Sequence, residues 1–506
     1  MKEEKVSTYR KILSSTAIFG GAQVLTIIIN IIRGKLVASI LHSTGIGISS
    51  ILSNAAGSIQ QFALMGLNIS AVKDISQAST EDERVLTFTI RLVRRLVLLA
   101  SVLGLIITIL LSPLLSKISF KDISYQSYFL LLSLSIFFNV MGTGEMAVLQ
   151  GLRRYKLLAF CSLVPPACGL LLSIPIYYIW GIDGIVPAMI VANAIYFIVI
   201  RLVSYRNNQP KEKKEKITLK VAWQKGHHII QFGIVMTIGV FLGTFTTYAL
   251  TAFISNTGSV DDVGFYQAGN TITMQYIGLI FTAMATDYYP HLSSLIKNSL
   301  TDAFHFVNQQ TEIIVLIMTP LAMLIILTAP LVIRVLLTEE FMIIEQMVCF
   351  MGMASIFKAL CFPMDYIAYA KGDKHYIFWV ETIWGCCKTF TIMALCYYFF
   401  GLQGLGYGAL ITAAVDFLVC LVLIPWRYGF RLSSNSIRPI IIMTTMAIVC
   451  FAGSFIEQTI WKYAVMVTST TICIVYSIRQ LDRRIDVRLF LSNIKKRFTL
   501  RKQSEK

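Results

Sequence analysis

The chain has 506 residues, 56% of them hydrophobic and 14% charged, and a formal net charge of +17. A soluble protein of that length would divide into several domains with alternating patterning, and this composition belongs in a bilayer instead. The positive charge, which in a soluble domain would suggest nucleic acid, falls in the connections between apolar runs, so nucleic acid is excluded as a partner.

Apolar runs long enough to cross the roughly 30 Å hydrocarbon core, about 20 residues each, recur from end to end. They lie at 12–32, 46–70, 92–115, 127–149, 157–179, 184–204, 228–253, 264–288, 307–329, 343–370, 375–399, 404–426, 437–456 and 460–478. The fold expected is all-α and polytopic, with about fourteen transmembrane helices. The first run is too long for a cleavable signal and lacks a small-x-small exit, so it is expected to act as its own uncleaved signal. Basic residues gather at 2–11, 73–95, 153–156, 201–225, at Lys297, Lys371 and Lys374, at 427–438 and beyond Arg479. These are the two ends and every second connection, which predicts that both termini are cytoplasmic.

Two internal echoes divide the chain. The stretch AVLQGLRRY at 147–155 returns as AYAKGDKHY at 368–376, and GIDGIVPA from Gly181 returns as GLQGLGYG from Gly401. Six spans lie on each side of a connection whose core is KEKKEK, so the repeats are parallel, related by an axis along the membrane normal. The expected organisation is a six-helix lobe at 1–204, a basic cytoplasmic linker at 205–227, a second six-helix lobe at 228–430, two additional helices at 431–480, and a basic tail at 481–506. In that tail Leu481, Ile485, Leu489 and Phe498 stand among cations, as in an interfacial amphipathic helix; a solvated tail is the alternative. Pro165, Pro166, Pro175, Pro187, Pro320 and Pro363 fall within spans and predict bends, static or hinged.

Ionised groups inside spans are costly and must face protein or water. Lys358 and Asp365 are seven residues apart on the tenth span, as are Glu381 and Lys388 on the eleventh, and seven residues return to nearly the same helix face. Counted from the turn at Gly372, the two acids form one layer about 10 Å deep and the two lysines another at about 20 Å. Paired ammonium groups at one depth suit a cavity that receives an anion. The alternative is that they pair with acids elsewhere, such as Asp416 or Glu145. Glu145, Asp365 and Glu381 are candidates for coupling to an ion; the alternative for Glu145 is that it only neutralises Arg33. Arg33 and Lys35 are read as the outer end of the first span, snorkelling to the interface.

Amides are the other candidate cavity groups: Asn54, Gln60 and Gln61 on the second span, and Gln267, Asn270 and Gln275 on the eighth. With Tyr248, Tyr266 and Tyr276 they suit sugar hydroxyls and ring faces, or serve as interhelical hydrogen-bond glue. The ten cysteines sit in apolar segments and read as packing residues. The six histidines form no metal-type cluster, no GxxxxGK is present, and neither a metal, a cofactor nor a catalytic set is expected.

VGFYQAGN at 263–270, ATDYYPHLS at 285–293, STGIGISSILSN at 43–54 and the glycine turns together resemble the O-antigen flippases. These form the polysaccharide transporter family of the multidrug/oligosaccharidyl-lipid/polysaccharide exporter superfamily. The resemblance covers the first twelve spans. It implies a multi-pass protein of the bacterial inner membrane that carries undecaprenyl-diphosphate-linked oligosaccharide between leaflets by alternating access of its lobes, driven by a gradient of H+ or Na+. Membrane lipids are implied partners, and the polysaccharide polymerase machinery is a candidate one. A multidrug/cation antiporter of the same superfamily is one alternative, disfavoured by the two lysines. A membrane-embedded polymerase or ligase is another, disfavoured by the short connections on the outer side.

Overall fold

The computed structural model describes residues 2–207 and 219–485, with side chains from 25 to 206 and from 237 to 484 apart from 155, 275–277, 279, 282–283, 285–287 and 435. KEKKEK and the tail beyond 485 lie outside the described residues, as do the side chains of His227, His228, Gln275 and Tyr276.

The described elements are all helical. They are α1 (Lys2–Leu64), α2 (Leu67–Ala78), α3 (Glu83–Phe120), α4 (Gln126–Gly151), α5 (Tyr155–Trp180), α6 (Ile185–Asn207), α7 (Leu219–Thr257), α8 (Val260–Asn270), α9 (Tyr276–Asn298) and α10 (Leu300–Leu336). There follow α11 (Glu345–Lys371), the short α12 (Lys374–Tyr376), α13 (Gly385–Tyr428), α14 (Ser434–Gly453) and α15 (Thr459–Ile485). Among the described residues ten stretches are long and apolar enough to cross a membrane, and three of these, Leu25–Leu64, Lys156–Arg206 and Lys374–Tyr428, are 40, 51 and 55 residues long. Each of the three breaks part-way, at His42, Gly181 and Gly401. Counting them twice and adding the α8 to α9 rod gives the fourteen crossings expected. The chain is a multi-pass membrane protein.

The breaks have local causes. At His42 (φ 55, ψ −166) α1 turns and restarts. The Ser43 amide, freed from the helix ladder, donates to Glu340 Oε1 at 3.2 Å, and the Ser43 and Thr44 hydroxyls donate to Asp261 Oδ1 at 2.8 and 2.5 Å. Carboxylates at the start of a helix meet its unpaired N–H groups and its positive dipole end. Because helix continues up to that break, Arg33 and Lys35 sit two turns inside the first rod and not at its outer end. A second break at Met65 (φ 44) and Gly66 (φ 75) separates α2 from the end of α1.

The glycine echo is an echo of geometry. Gly181 (φ 56, ψ −130) and Gly401 (φ 58, ψ −143) take a backbone conformation that costs any L side chain, and three residues on Gly184 and Gly404 press against a carbonyl of the preceding helix. A Cβ would lie 2.8 Å from Ile176 O at Gly184 and 2.0 Å from Cys396 O at Gly404, both eight residues back. The other echo is looser. In the second copy Gly372 (φ 67) is left-handed and the Asp373 amide bonds back to Ala368 O, whereas in the first copy Arg153 (φ 53) is left-handed and the Arg154 amide bonds to Leu149 O. Both are left-handed helix caps, but the first sits two residues beyond Gly151, which stays helical.

Packing divides the chain into two compact units, Met1–Gln267 with Leu336–Glu340, and Ala268–Val335 with Phe341–Lys506. The sequence division at 205–227 differs from this one, because α7 packs on α1, α2 and α3 of the first unit. Within the second unit the core joins Tyr288 and Leu292 of α9, Val307 of α10, Met364 and Ile367 of α11, Tyr376, and Cys420 and Ile424 of α13. Tyr288 donates its hydroxyl to Pro363 O at 2.8 Å, fastening the proline-containing stretch of α11. The last span, α15, docks on α10, where Arg484 forks onto Glu312 and the Ser477 hydroxyl donates to Leu316 O, and α14 packs on α15 and α11. All ten cysteines are free thiols.

Candidate functional site

In the second unit the ionised groups expected in spans ten and eleven come together on α11, α13 and the backbone between them. Residues Ile377–Trp384 wind as a π-helix, a rare distortion that shifts the faces of a helix and recurs at functional sites. Glu381 lies in it. Its Oε2 accepts the Tyr369 hydroxyl at 2.5 Å, while its Oε1 is buried with no partner among the described residues. Asp365, one turn before Tyr369, accepts the Cys420 thiol at 3.4 Å and lies within electrostatic reach of both Glu381 and Lys388.

The two lysines have different fates. Lys388 is buried, its side chain 3% exposed, and it forms an ion pair with Asp416, whose side chain is 41% exposed. The expectation of two free ammonium groups is therefore corrected at Lys388: the sequence shows two lysines at one depth but not that α13 folds back at Gly401 and brings Asp416 against one of them. Lys358 is exposed and has no carboxylate in ion-pair range among the described residues. Among the described residues its ammonium reaches the Met274 thioether, at 3.8 Å. Met274 belongs to a second π-helical stretch, Thr271–Gln275. The span that carries Lys358 is the most enclosed of the candidate spans, with 78% of its window buried. The exposed or half-buried residues Lys358, Phe362, Asp365, Tyr366 and Tyr369 form one continuous stripe along this helix.

The first unit holds a separate charged cluster. Glu145 is buried, and Arg94 and Arg201 both grip it; Arg94 Nη2 donates to Oε2 at 2.9 Å and to the Ser204 hydroxyl at 3.0 Å. The counter-charge of Glu145 is thus not Arg33. Helices α3, α4 and α6 converge on it, and removing two charges from water is repaid only in such well-bonded geometry. Both carboxylate oxygens of Glu145 are engaged by arginines.

The amides of the first unit are mostly bonded to neighbours. Gln267 accepts from Ser50 at 3.0 Å, Asn54 reaches Ser50 at 3.5 Å, and Gln60 donates to Thr143 at 3.3 Å. Asn139, Asn193 and Ser135, which sequence reading passed over, continue the series. Asn270, half-buried at the end of α8, belongs to the second unit.

Residues 36–346 match the family model described as polysaccharide biosynthesis protein. The chain belongs to that family. Two of the motifs that carried the resemblance meet in the fold: a Cβ at Gly47 would lie 2.0 Å from Val260 O, and one at Gly264 would lie 2.0 Å from Ser43 O, so only glycine permits this crossing. The fold is that of multidrug/oligosaccharidyl-lipid/polysaccharide superfamily transporters. The lipid II flippase MurJ in an inward closed conformation superposes with a TM-score of 0.65 at 12% identity, over 92% of this chain and 99% of that one. An inward-facing multidrug resistance MATE family transporter gives 0.61 at 16% identity, over 79% and 95%. A superfamily transporter from Pyrococcus furiosus, described by the reverse polarity of its binding pocket, gives 0.53 at 14% identity, over 81% and 94%. No curated protein matches the chain in sequence.

Proposed function

We propose that this protein is a flippase that carries a polyprenyl-diphosphate-linked oligosaccharide, an O-antigen unit or a related surface polysaccharide repeat, across the bacterial inner membrane. The observation that carries the reading is Lys358, a cation exposed at the centre of a largely buried span and without a carboxylate in ion-pair range among the described residues. A diphosphate crossing the hydrocarbon region needs a counter-charge at depth, and a lysine held apart from acids offers one without first breaking an ion pair. Cationic drugs would be repelled at the same place, which disfavours the antiporter reading. Family membership and a fold shared with a lipid II flippase support the same substrate class.

In this reading the termini and the Arg153–Arg154 end of α4 face the cytoplasm, two lobes alternate in access, and the cargo leaves chemically unchanged. Asp365 and Glu381 remain the candidates for the coupling H+ or Na+, because Glu381 keeps one carboxylate oxygen without a partner beside a second carboxylate. The polymerase machinery would receive the cargo on the far side.

The experiment is leaflet transfer of a fluorescent polyprenyl-diphosphate oligosaccharide in proteoliposomes containing the full chain, with the product weighed afterwards. Transfer at unchanged mass is expected, falling at least tenfold in Lys358→Ala and partly restored in Lys358→Arg. A product of altered mass would replace the flippase with an enzyme. Undiminished transfer in Lys358→Ala would remove the lysine from the mechanism.

A further inference from the structure

Within the first unit a cavity of about 440 Å³ opens between α2, α4 and α6, a volume in the range of sites for small ligands. Its polar lining is Asn68, Thr143, Gln150 and Tyr196, and its apolar walls include Ile69, Val72 and Met146. The break at Met65 and Gly66 creates it, because it swings α2 out of line with α1 and sets Asn68 in the first turn of the new helix. Gly142 makes room for Tyr196: a Cβ there would lie 2.4 Å from the tyrosine ring. At the far end Gly151 touches Ile75 and closes the wall.

No lining residue carries a formal charge, so the cavity does not suit a phosphate. Of the nearby cations, Arg94 and Arg201 hold Glu145, and Arg153 donates to the Ser76 hydroxyl at 3.3 Å. What the lining offers is two amides and the Tyr196 hydroxyl, groups that both donate and accept, beside an aromatic ring and aliphatic walls, while the Thr143 hydroxyl is held by Gln60 and the Asn139 carbonyl. Asn68 Oδ1 is buried and has no partner among the described residues, an unmet acceptor in the wall of the cavity that a turn of the amide would present to a ligand hydroxyl. A sugar ring combines hydroxyls around its rim with C–H faces.

We infer that this cavity is a binding subsite for a sugar residue of the cargo, separate from the cation that meets the diphosphate. The inference rests on the flippase reading and adds to it a place where glycan identity is sensed. Thr143 stands about 12 Å from the Gly151 end of α4 at 1.5 Å per residue, so the subsite is reached from the end that the proposal makes cytoplasmic.

The test is native mass spectrometry of the full chain in a detergent without a sugar headgroup. Three probes are compared: polyprenyl diphosphate bearing a disaccharide, the same lipid without sugar, and glucosyl diacylglycerol. Wild type is expected to hold the disaccharide lipid at least tenfold more tightly than the other two. Asn68→Leu with Gln150→Leu should abolish that preference while leaving the affinity for bare polyprenyl diphosphate unchanged. Gly142→Ala, which drives the Tyr196 ring from its seat without touching a polar group, should do the same. If both variants keep the tenfold preference, the subsite is refuted and the flippase reading stands. Equal binding of glucosyl diacylglycerol would make the cavity a site for membrane glycolipid and overturn its assignment to the cargo. If wild type holds neither polyprenyl lipid, the flippase reading falls and the subsite with it.

Discussion

Lys388 and Lys358 have the same residue type, the same depth and the same spacing from an acid, yet the fold gives them opposite tasks. Lys388 is 3% exposed and its partner Asp416 41%, so the two halves of the pair are not equivalent. Asp416→Ala leaves a buried ammonium without its counter-charge, at a cost of roughly 3 kcal/mol, the lower end for a broken buried pair. Lys388→Met leaves a carboxylate that water already reaches, and it is expected to cost less than half as much. The double variant Lys388→Met with Asp416→Leu should recover most of the loss, since apolar replacement of a buried pair is often neutral. Denaturant titration of the purified variants measures all three, and equal losses in the two single variants would contradict the asymmetry. The sequence alone exposed the ionisable residues, because a charge in an apolar run is conspicuous. Pairing with Asp416 stood as the alternative reading, and the return of the chain at Gly401 decides it for Lys388 alone. The Asn68 cavity was hidden: a left-handed Met65 carries no signature in an apolar helix.

At the scale of elements, the turns were more legible than the helices they join. GIDG and GLQG announce the same hairpin because a positive φ and a carbonyl pressed against the chain both demand glycine, so the chemistry survives while most flanking residues differ. The Gly151 and Gly372 pairing misled by two residues, since a helix cap tolerates Arg153 at the left-handed position in one copy. The two π-helical stretches left no sign at all, because Ile377–Trp384 reads as ordinary apolar helix. The turn after α11 carries its own lock. Asp373 caps the Tyr376 amide at 3.1 Å and accepts Arg427 at 2.6 and 3.0 Å and Tyr428 at 2.8 Å. The Arg427 guanidinium above all, then the Tyr376 amide and the Tyr428 hydroxyl, holds its carboxyl well below the usual carboxylate range. A depressed folded-state pKa stabilises fully above the unfolded value, about 3.9, and that stabilisation fades as pH falls toward the folded value. Wild type should therefore exceed Asp373→Asn in melting temperature by a constant margin from pH 8 to pH 5, and the margin should shrink below about pH 4. A margin that closed near neutral pH would mean that another group titrates there.

For the molecule as a whole, stability and transport are expected to rest on different charges. Arg484 of α15 forks onto Glu312 of α10, with Glu312 8% and Arg484 29% exposed, and Lys462 reaches Glu345 at 2.9 Å. These pairs fasten α15 to α10 and to the start of α11, and lie apart from the stripe that bears Lys358. Arg484→Ala leaves a buried carboxylate unpaired and is expected to destabilise by roughly 2 to 3 kcal/mol, below the full cost of a completely buried pair because Arg484 is partly hydrated. The rate of lipid-linked glycan transfer per folded molecule should stay within twofold of wild type. Lys358→Ala should do the reverse. It removes an ammonium that, among the described residues, bonds only a thioether, so the melting temperature should hold or rise while transfer falls at least tenfold. Thermal unfolding and proteoliposome transfer measured on the same preparations separate the two effects. If Arg484→Ala stopped transfer in fully folded protein, the C-terminal helices would belong to the moving machinery, and the path of the cargo would have to be redrawn to include them.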